Sequence, residues 1–203
     1  MIVIDQATVI EYFNQRAPSW EHTVKKNTSI IDEIFEAIGL KEGQSILDVA
    51  CGSGALFEHY LKRNVASITA VDISPAMIAQ ARFHHPNPKI TTIVGDIERL
   101  DFDQVFDHVV VFNALPHFPN PTRLIAHLSR FGNRVTIAHN IGRKRLNALH
   151  DAKAHSVSTE LIASEILAQK AAPFLDIDQC QNEDNLYVVS GITKKQEFSS
   201  SSH

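Results

Sequence analysis

The sequence has few cysteines, no excess of basic charge and no long apolar run. Its two cysteines, Cys51 and Cys180, do not suggest a disulfide scaffold. Lys and Arg number 19 against 23 Asp and Glu, and the net charge of −4 argues against a nucleic-acid footprint. No apolar run approaches the roughly 20 residues of a membrane span, and the start lacks the features of a signal peptide. We therefore expect a cytoplasmic protein that binds neither nucleic acid nor membrane.

The remaining composition suits one ordinary domain. The chain has 203 residues and is 44% hydrophobic, which supports a full core. It contains no internal repeat and no domain linker. We predict a single domain over residues 1–195 and a flexible low-complexity tail over 196–203.

Apolar strands and helical patterns alternate along most of the chain. The predicted strands lie near 45–50, 67–72, 90–94, 106–112 and 134–139. The predicted helices lie near 6–17, 23–39, 54–63, 75–84, 120–131, 143–155 and 158–171. Several strands are near-continuous apolar runs, which is typical of parallel strands covered on both faces.

The end of the chain has a different pattern. Two alternating runs, 174–180 and 186–190, flank a polar turn and predict an antiparallel hairpin. The chain is therefore expected to be an α/β protein with a parallel core and an antiparallel edge.

The strongest candidate site is the turn after the first strand. Asp48 precedes a turn that contains Gly52 and Gly54, and glycine permits positive φ and close approach of a ligand. Asp72 ends the next strand, twenty residues beyond Gly52. This pattern holds a nucleoside-type cofactor at the carboxyl edge of a parallel sheet. A dinucleotide is one candidate, because Ala50, Gly52 and Ala55 form a degraded version of its fingerprint.

Four ordered segments resemble the motifs of class I methyltransferases that depend on S-adenosylmethionine (SAM). They are Asp48–Gly54, Asp72–Met77, Val94–Ile97 and Asp107–Pro116. The resemblance runs from about residue 10 to 193. Asn113–Pro116 lacks the Asn-Pro-Pro-aromatic signature of enzymes that methylate base amino groups, which argues against a DNA methyltransferase.

The resemblance implies a Rossmann-like three-layer αβα sandwich, with a mostly parallel seven-stranded sheet and one antiparallel edge hairpin. It also implies SAM as the cofactor. Asp48 would favour the cationic methionine end, Asp72 would accept from the ribose hydroxyls, and Asp96 would accept from the adenine amino group. The full predicted cofactor set is Asp48, Ala50, Cys51, Gly52, Gly54, Asp72, Ile73, Met77, Asp96, Ile97 and Asn113.

Methyl transfer mainly requires alignment of the nucleophile, with a base where the acceptor must lose a proton. Histidines follow strands four and five, and histidine titrates near neutral pH. We predict His117, His139 and Asn113 as catalytic residues. His150 and His155 follow on the next helix. Converging histidines could also chelate a divalent ion, and each histidine could instead pair with a backbone group or lie on the surface.

Two helical regions are expected to enclose the acceptor. Residues 1–40 resemble the N-terminal lid of small-molecule members of the family, and 142–172 would form the opposite wall. The predicted acceptor-binding residues are Tyr12, Trp20, His117 and His150. We expect a small-molecule methyl acceptor, no resident metal, and a monomer or homodimer. The alternatives are a non-catalytic SAM- or metal-binding protein and an NAD-linked oxidoreductase.

Overall fold

The computed structural model describes residues 4–20, 28–149 and 156–194. Its strands are β1 (Ser45–Val49), β2 (Ser67–Asp72), β3 (Ile90–Val94), β4 (Phe106–Phe112), β5 (Gly132–His139), β6 (Leu175–Asn182) and β7 (Tyr187–Thr193). Its helices are α1 (Gln6–Arg16), α2 (Thr28–Ala37), α3 (Phe57–Lys62), α4 (Pro75–His84), α5 (Pro121–Leu128), α6 (Arg143–Leu149) and α7 (Ser164–Ala171). Three short 3₁₀ turns lie at Ala17–Ser19, Ile97–Arg99 and Leu115–His117.

All seven strands form one sheet in the order β3-β2-β1-β4-β5-β7-β6. Strands β1 to β5 pair in parallel, whereas β7 is antiparallel to both β5 and β6. The chain order reverses between β1 and β4, which is where ligands bind in open α/β sheets. The predicted fold, a mostly parallel seven-stranded sheet with an antiparallel edge hairpin, is confirmed.

Apolar side chains cover both faces of the sheet. Ile46 packs with α2, α3 and α4 on one face, and its neighbour Leu47 packs with α5 and α7 on the other. Both side chains are fully buried. Side chains of a strand alternate between faces, so two helical layers explain the near-continuous apolar runs.

The predicted helix over 158–171 is wrong in its first turn and a half, because α7 begins only at Ser164. Backbone groups in the preceding segment bond to distant elements instead of forming helical bonds. The Thr159 amide donates to the Pro116 carbonyl at 2.8 Å, and the Leu161 amide donates to the Asn147 side chain at 2.9 Å. These tertiary hydrogen bonds override the local helix-start signal at Ser158.

Other element predictions agree closely with the structure. The bounds of β2, β3, β4 and α4 are as predicted. The predicted helical residues 23–27 and 150–155, which include His150 and His155, and the predicted tail over 196–203 lie outside the described residues. Within the described ranges, no helix is long and apolar enough to cross a membrane.

Candidate active site

The turn after β1 is built on left-handed backbone conformations. Ala50 and Gly52 have φ values of 54° and 56°, and Gly54 has a φ of 94°. A Cβ atom at Gly54 would lie 2.6 Å from the Phe57 ring, so only glycine fits there without a shift. Ala50 adopts this conformation despite its Cβ, at a cost on the order of 1 kcal/mol. The turn thus exposes backbone at the carboxyl edge of the sheet.

Asp72 holds this turn in place. One carboxylate oxygen accepts from the Gly52 amide at 2.9 Å, and the other accepts from the Ser74 amide at 2.8 Å. Burial raises the pKa of Asp72, while the amides of Ser74, Gly52 and Ile73 oppose that rise. Because an anionic acceptor already binds the Gly52 amide, a pyrophosphate there would meet a like charge. The arrangement therefore disfavours the NAD-linked alternative.

Asp48 is the most unusual polar residue of the site. It is 1% exposed, and neither carboxylate oxygen has a hydrogen-bond partner among the described residues. Burial, followed by the nearby Asp72, raises the pKa of Asp48 well above its usual range. An unpaired buried carboxyl group costs stability, so its retention at the cavity wall indicates a ligand role. A cationic ligand with N–H donors would supply the hydrogen bonds and the positive charge that are missing around Asp48 in the described part of the chain.

A cavity of about 490 Å³ lies over the turn and the strand ends, within the roughly 300–1,000 Å³ range of small-molecule sites. It brings together most of the predicted cofactor set: Asp48, Ala50, Cys51, Gly52, Asp72, Ile73, Met77, Asp96, Ile97 and Asn113. Gly54 is not among the lining residues, and it packs against Phe57 at the start of α3. The apolar members Ile73, Met77 and Ile97 are the side chains that could sandwich a planar ring.

Asp96 lies at the far end of the cavity and caps the 3₁₀ turn Ile97–Arg99. One of its oxygens accepts from the Glu98 amide at 3.0 Å, as in an ordinary cap. The other accepts from the Gln6 side chain at 2.7 Å and lies 3.2 Å from the Arg99 guanidinium. Asp96 therefore links the β3 edge of the site to α1.

Helix α1 and its 3₁₀ extension form the wall opposite the sheet. Phe13 and Trp20 line the cavity and meet edge to face, with ring centroids 5.6 Å apart. The Trp20 indole nitrogen would lie 3.5 Å from a Cβ atom at Gly52, so this wall reaches the turn. Tyr12 does not line the cavity and instead stacks under the Arg16 guanidinium, 3.7 Å from its ring centroid.

His117 and Asn113 bound the cavity near the ends of β4 and β5. Nδ1 of His117 lies 2.8 Å from the Val157 carbonyl, which can only accept, so Nδ1 is the donor of this hydrogen bond. Asn113 exchanges two hydrogen bonds with Asn140, at 3.0 and 3.1 Å. These hydrogen bonds hold both side chains in fixed orientations beside the part of the cavity where a reacting group could bind.

The structure does not bring His139 to the cavity. Its side chain is 1% exposed and packs edge to face on Tyr187, the residue opposite it on β7. Burial, followed by the charge of His117, lowers the pKa of His139 to about 3. His139 is therefore neutral at physiological pH, and it does not line the cavity as His117 does.

Cys51 does line the cavity, but as a neutral thiol. Burial, followed by Asp48 and Asp72, raises its pKa well above the usual range, which makes it a poor nucleophile. In the part of the chain that the structure describes, no three His, Cys, Asp or Glu side chains converge in a way that could hold a metal.

Several further cavity residues were not predicted from the sequence, among them Gln6, Phe118 and Arg123. Phe118 directly follows His117, so its place after β4 was the available signal. Arg123 pairs with Glu98, with nitrogen–oxygen distances of 2.9 Å, across the mouth of the cavity. Gln6 has no sequence signal, since its partner Asp96 lies 90 positions away.

Comparisons with known proteins agree with this geometry. Residues 46–133 match the family model described as a methyltransferase domain. The malonyl-(acyl-carrier protein) O-methyltransferase of Anoxybacillus flavithermus is 25% identical over 166 residues, which cover 79% of this chain and 62% of that protein. The ubiquinone biosynthesis O-methyltransferase of Xylella fastidiosa is 33% identical over 115 residues, which cover 53% of this chain and 46% of that protein. The chain thus spans about half to three-fifths of the length of these relatives.

A solved structure extends the match to nearly the whole chain. The magnesium protoporphyrin IX methyltransferase of Synechocystis PCC 6803, solved with bound S-adenosylhomocysteine (SAH), superposes with a TM-score of 0.69. The match covers 94% of this chain and 100% of that one at 15% identity, which establishes the fold. Together the comparisons confirm the resemblance to class I SAM-dependent methyltransferases.

Proposed function

We propose that this chain transfers a methyl group from SAM to a small-molecule acceptor. The observation that carries the proposal is Asp48, whose buried carboxyl group faces a ligand-sized cavity without a partner among the described residues. SAM has an α-ammonium group that donates hydrogen bonds and a sulfonium that adds positive charge. A ligand of this chemistry compensates the cost of burying Asp48.

Each of the three acidic residues is assigned to a different part of the cofactor. Asp48 binds the cationic methionine end, directly or through water, and Asp72 accepts from the ribose hydroxyls while it holds the Gly52 turn. Asp96 accepts from the adenine amino group, and Ile73, Met77 and Ile97 enclose the ring. These assignments are supported by the chemistry of each side chain and by the fact that all three acids line the cavity.

When bound, SAM supplies a methyl carbon activated by its sulfonium. The chain then has to orient the acceptor and accept its proton. We assign this step to His117, because its Nδ1 donates to the Val157 carbonyl and Nε2 is the ring nitrogen that can take up a proton. Asn113, held by Asn140, orients a polar group of the acceptor. For His139 we propose a neutral, buried supporting role behind His117.

The acceptor is proposed to be compact. A cavity of about 490 Å³ has to accommodate both the cofactor and the acceptor. Phe13, Trp20 and Phe118 give its wall an aromatic character, which suits an apolar acceptor with one reactive polar group. The net charge of −4 is consistent with the expectation that nucleic acid is not the substrate. A cytoplasmic monomer or homodimer remains our expectation.

Replacement of His117 by Asn separates its base role from its positioning role. The Asn amide can still donate to the Val157 carbonyl, but it has no basic nitrogen. We expect SAH affinity within about threefold of the wild type and methyl transfer at least about 100-fold slower. SAH formation over a panel of phenols, thiols, amines and carboxylic acids measures the rate, and titration with SAH measures the affinity.

His127→Asn is the matched control, because His127 bonds the Leu100 carbonyl and does not line the cavity. It should methylate acceptors at the wild-type rate. Full activity of His117→Asn on an acceptor that must lose a proton would remove His117 from the mechanism.

A further inference from the structure

Gln6 and Asp96 both line the cavity and contact each other at the residue that the proposed function assigns to the nucleobase. Gln6 is the first residue of α1, and the Asp5 side chain caps that helix through the Thr8 amide at 3.0 Å. Although exposed, Gln6 also lines the cavity. Its Nε2 donates to Oδ2 of Asp96 at 2.7 Å. A side chain of α1 thus occupies one acceptor oxygen of the site.

The carboxamide of Gln6 has the same donor chemistry as an exocyclic amino group. Each carboxylate oxygen has about two acceptor positions, and Oδ2 of Asp96 already faces Gln6 and Arg99. Oδ1 is partly used by the Glu98 amide. An amino group that reaches Oδ2 from the cavity therefore has to displace one of these donors. Gln6 is a neutral donor, so its hydrogen bond is weaker than one made by the charged Arg99.

The other end of α1 is anchored independently. Oδ1 of Asn14 accepts from the Ser74 hydroxyl at 2.7 Å and from the Ala76 amide at 3.2 Å. Those bonds fasten α1 to the start of α4 and do not involve Asp96. Displacement of the Gln6 side chain therefore leaves the Asn14 anchor of α1 intact.

We infer that Gln6 competes with the nucleobase amino group for Asp96, which makes it a specificity-determining residue for the cofactor. This role rests on the proposed function, in which Asp96 binds adenine. A 6-amino purine gains a charge-assisted bond to Asp96 when Gln6 leaves. A 6-oxo purine presents an acceptor oxygen to the carboxylate and gains nothing from that exchange. Gln6 thereby lowers the affinity for the 6-amino cofactor and not for its 6-oxo analogue, so it reduces the discrimination between the two.

The test compares the wild type with Gln6→Ala by isothermal titration, using SAH and its 6-oxo analogue S-inosylhomocysteine as probes. We expect Gln6→Ala to bind SAH about three- to tenfold more tightly, since the ligand no longer displaces a neutral hydrogen bond. The 6-oxo analogue should bind Gln6→Ala no more tightly than the wild type. Because only one exposed hydrogen bond is lost, the melting temperature of the free variant should fall by no more than a few degrees.

Asn14→Ala is the matched control, because it loosens the opposite end of α1 and leaves the contact between Gln6 and Asp96 intact. Its SAH affinity should be equal to or weaker than that of the wild type. An equal tightening by Asn14→Ala would show that loosening of the lid, and not competition, is responsible. Unchanged or weaker SAH binding by Gln6→Ala would also overturn the inference.

The experiment also separates this inference from the proposed function. If wild-type protein binds SAH but Gln6→Ala does not improve that binding, only the competition is refuted. If neither protein binds SAH, the cofactor assignment fails and the inference fails with it.

Discussion

Replacement of Asp48 by Asn is expected to make the protein more stable and to weaken its binding of SAH. The amide keeps the shape of the carboxyl group but cannot ionise in its buried position. We expect the free energy of unfolding at neutral pH to rise by about 1–2 kcal/mol, as is common when a functional site loses an unfavourable group. SAH affinity should fall at least tenfold, because the ammonium loses a charged acceptor.

The stability effect has a defined pH dependence. Because burial raises the pKa of Asp48, the folded protein retains a proton that the unfolded chain has released. Stability of the wild type therefore decreases as the pH rises above the ordinary aspartate value of about 3.9 toward the raised value. Asp48→Asn lacks this contribution, so its stability advantage should grow with pH over that interval. Thermal unfolding at a series of pH values measures it.

Asp107→Asn is the matched control, because Asp107 lies near the start of β4 and away from the cavity. Hydrogen bonds from Ser45 lower the pKa of Asp107, which is the opposite shift to that of Asp48. Asp107→Asn should bind SAH normally and should not gain stability. Wild-type SAH affinity in Asp48→Asn would contradict the role assigned to this carboxylate.

Replacement of Asp72 by Ala is expected to weaken SAH binding at least tenfold and also to destabilise the fold. The amides of Gly52 and Ser74 both lose a charged acceptor, and hydrogen bonds of this kind contribute about 1.5–3 kcal/mol each. We expect the free energy of unfolding to fall by about 2–4 kcal/mol, since exposure to water at the cavity compensates part of that loss. Chemical denaturation and titration with SAH measure the two effects.

Asp72→Asn keeps one acceptor oxygen and tests which function of Asp72 dominates. If the ribose contact dominates, Asn should lose most of the affinity while recovering only the one hydrogen bond, to Gly52 or to Ser74, that its oxygen can accept. If Asp72→Ala bound SAH as tightly as the wild type, neither the ribose contact nor the ordered turn would contribute to binding.

The strands and α4 were predictable because local signals coincide with tertiary packing. Near-continuous apolar runs mark β2 and β4, and Ser74 with Pro75 marks the start of α4, where the Ser74 hydroxyl accepts from the Met77 amide at 3.1 Å. The segment before α7 was not predictable. Its hydrogen bonds go to Pro116 and Asn147, which lie far away in the chain.

The candidate site was predictable along the parallel strand ends and less so elsewhere. The positions of Asp48 and Asp72 were predictable because each lies at the carboxyl end of a parallel strand, and these strand ends share one edge of the sheet. His139 ends a strand at the same edge, but β7 pairs beside it and places Tyr187 against its ring. Gln6 depends on how α1 crosses the cavity, which no local pattern encodes.

The most direct test of the central claim is isothermal titration of the purified protein with SAH and, separately, with NADH. We predict that SAH binds with a micromolar dissociation constant and that NADH does not bind. Binding of NADH alone would contradict the methyltransferase cofactor site and would point to a redox substrate.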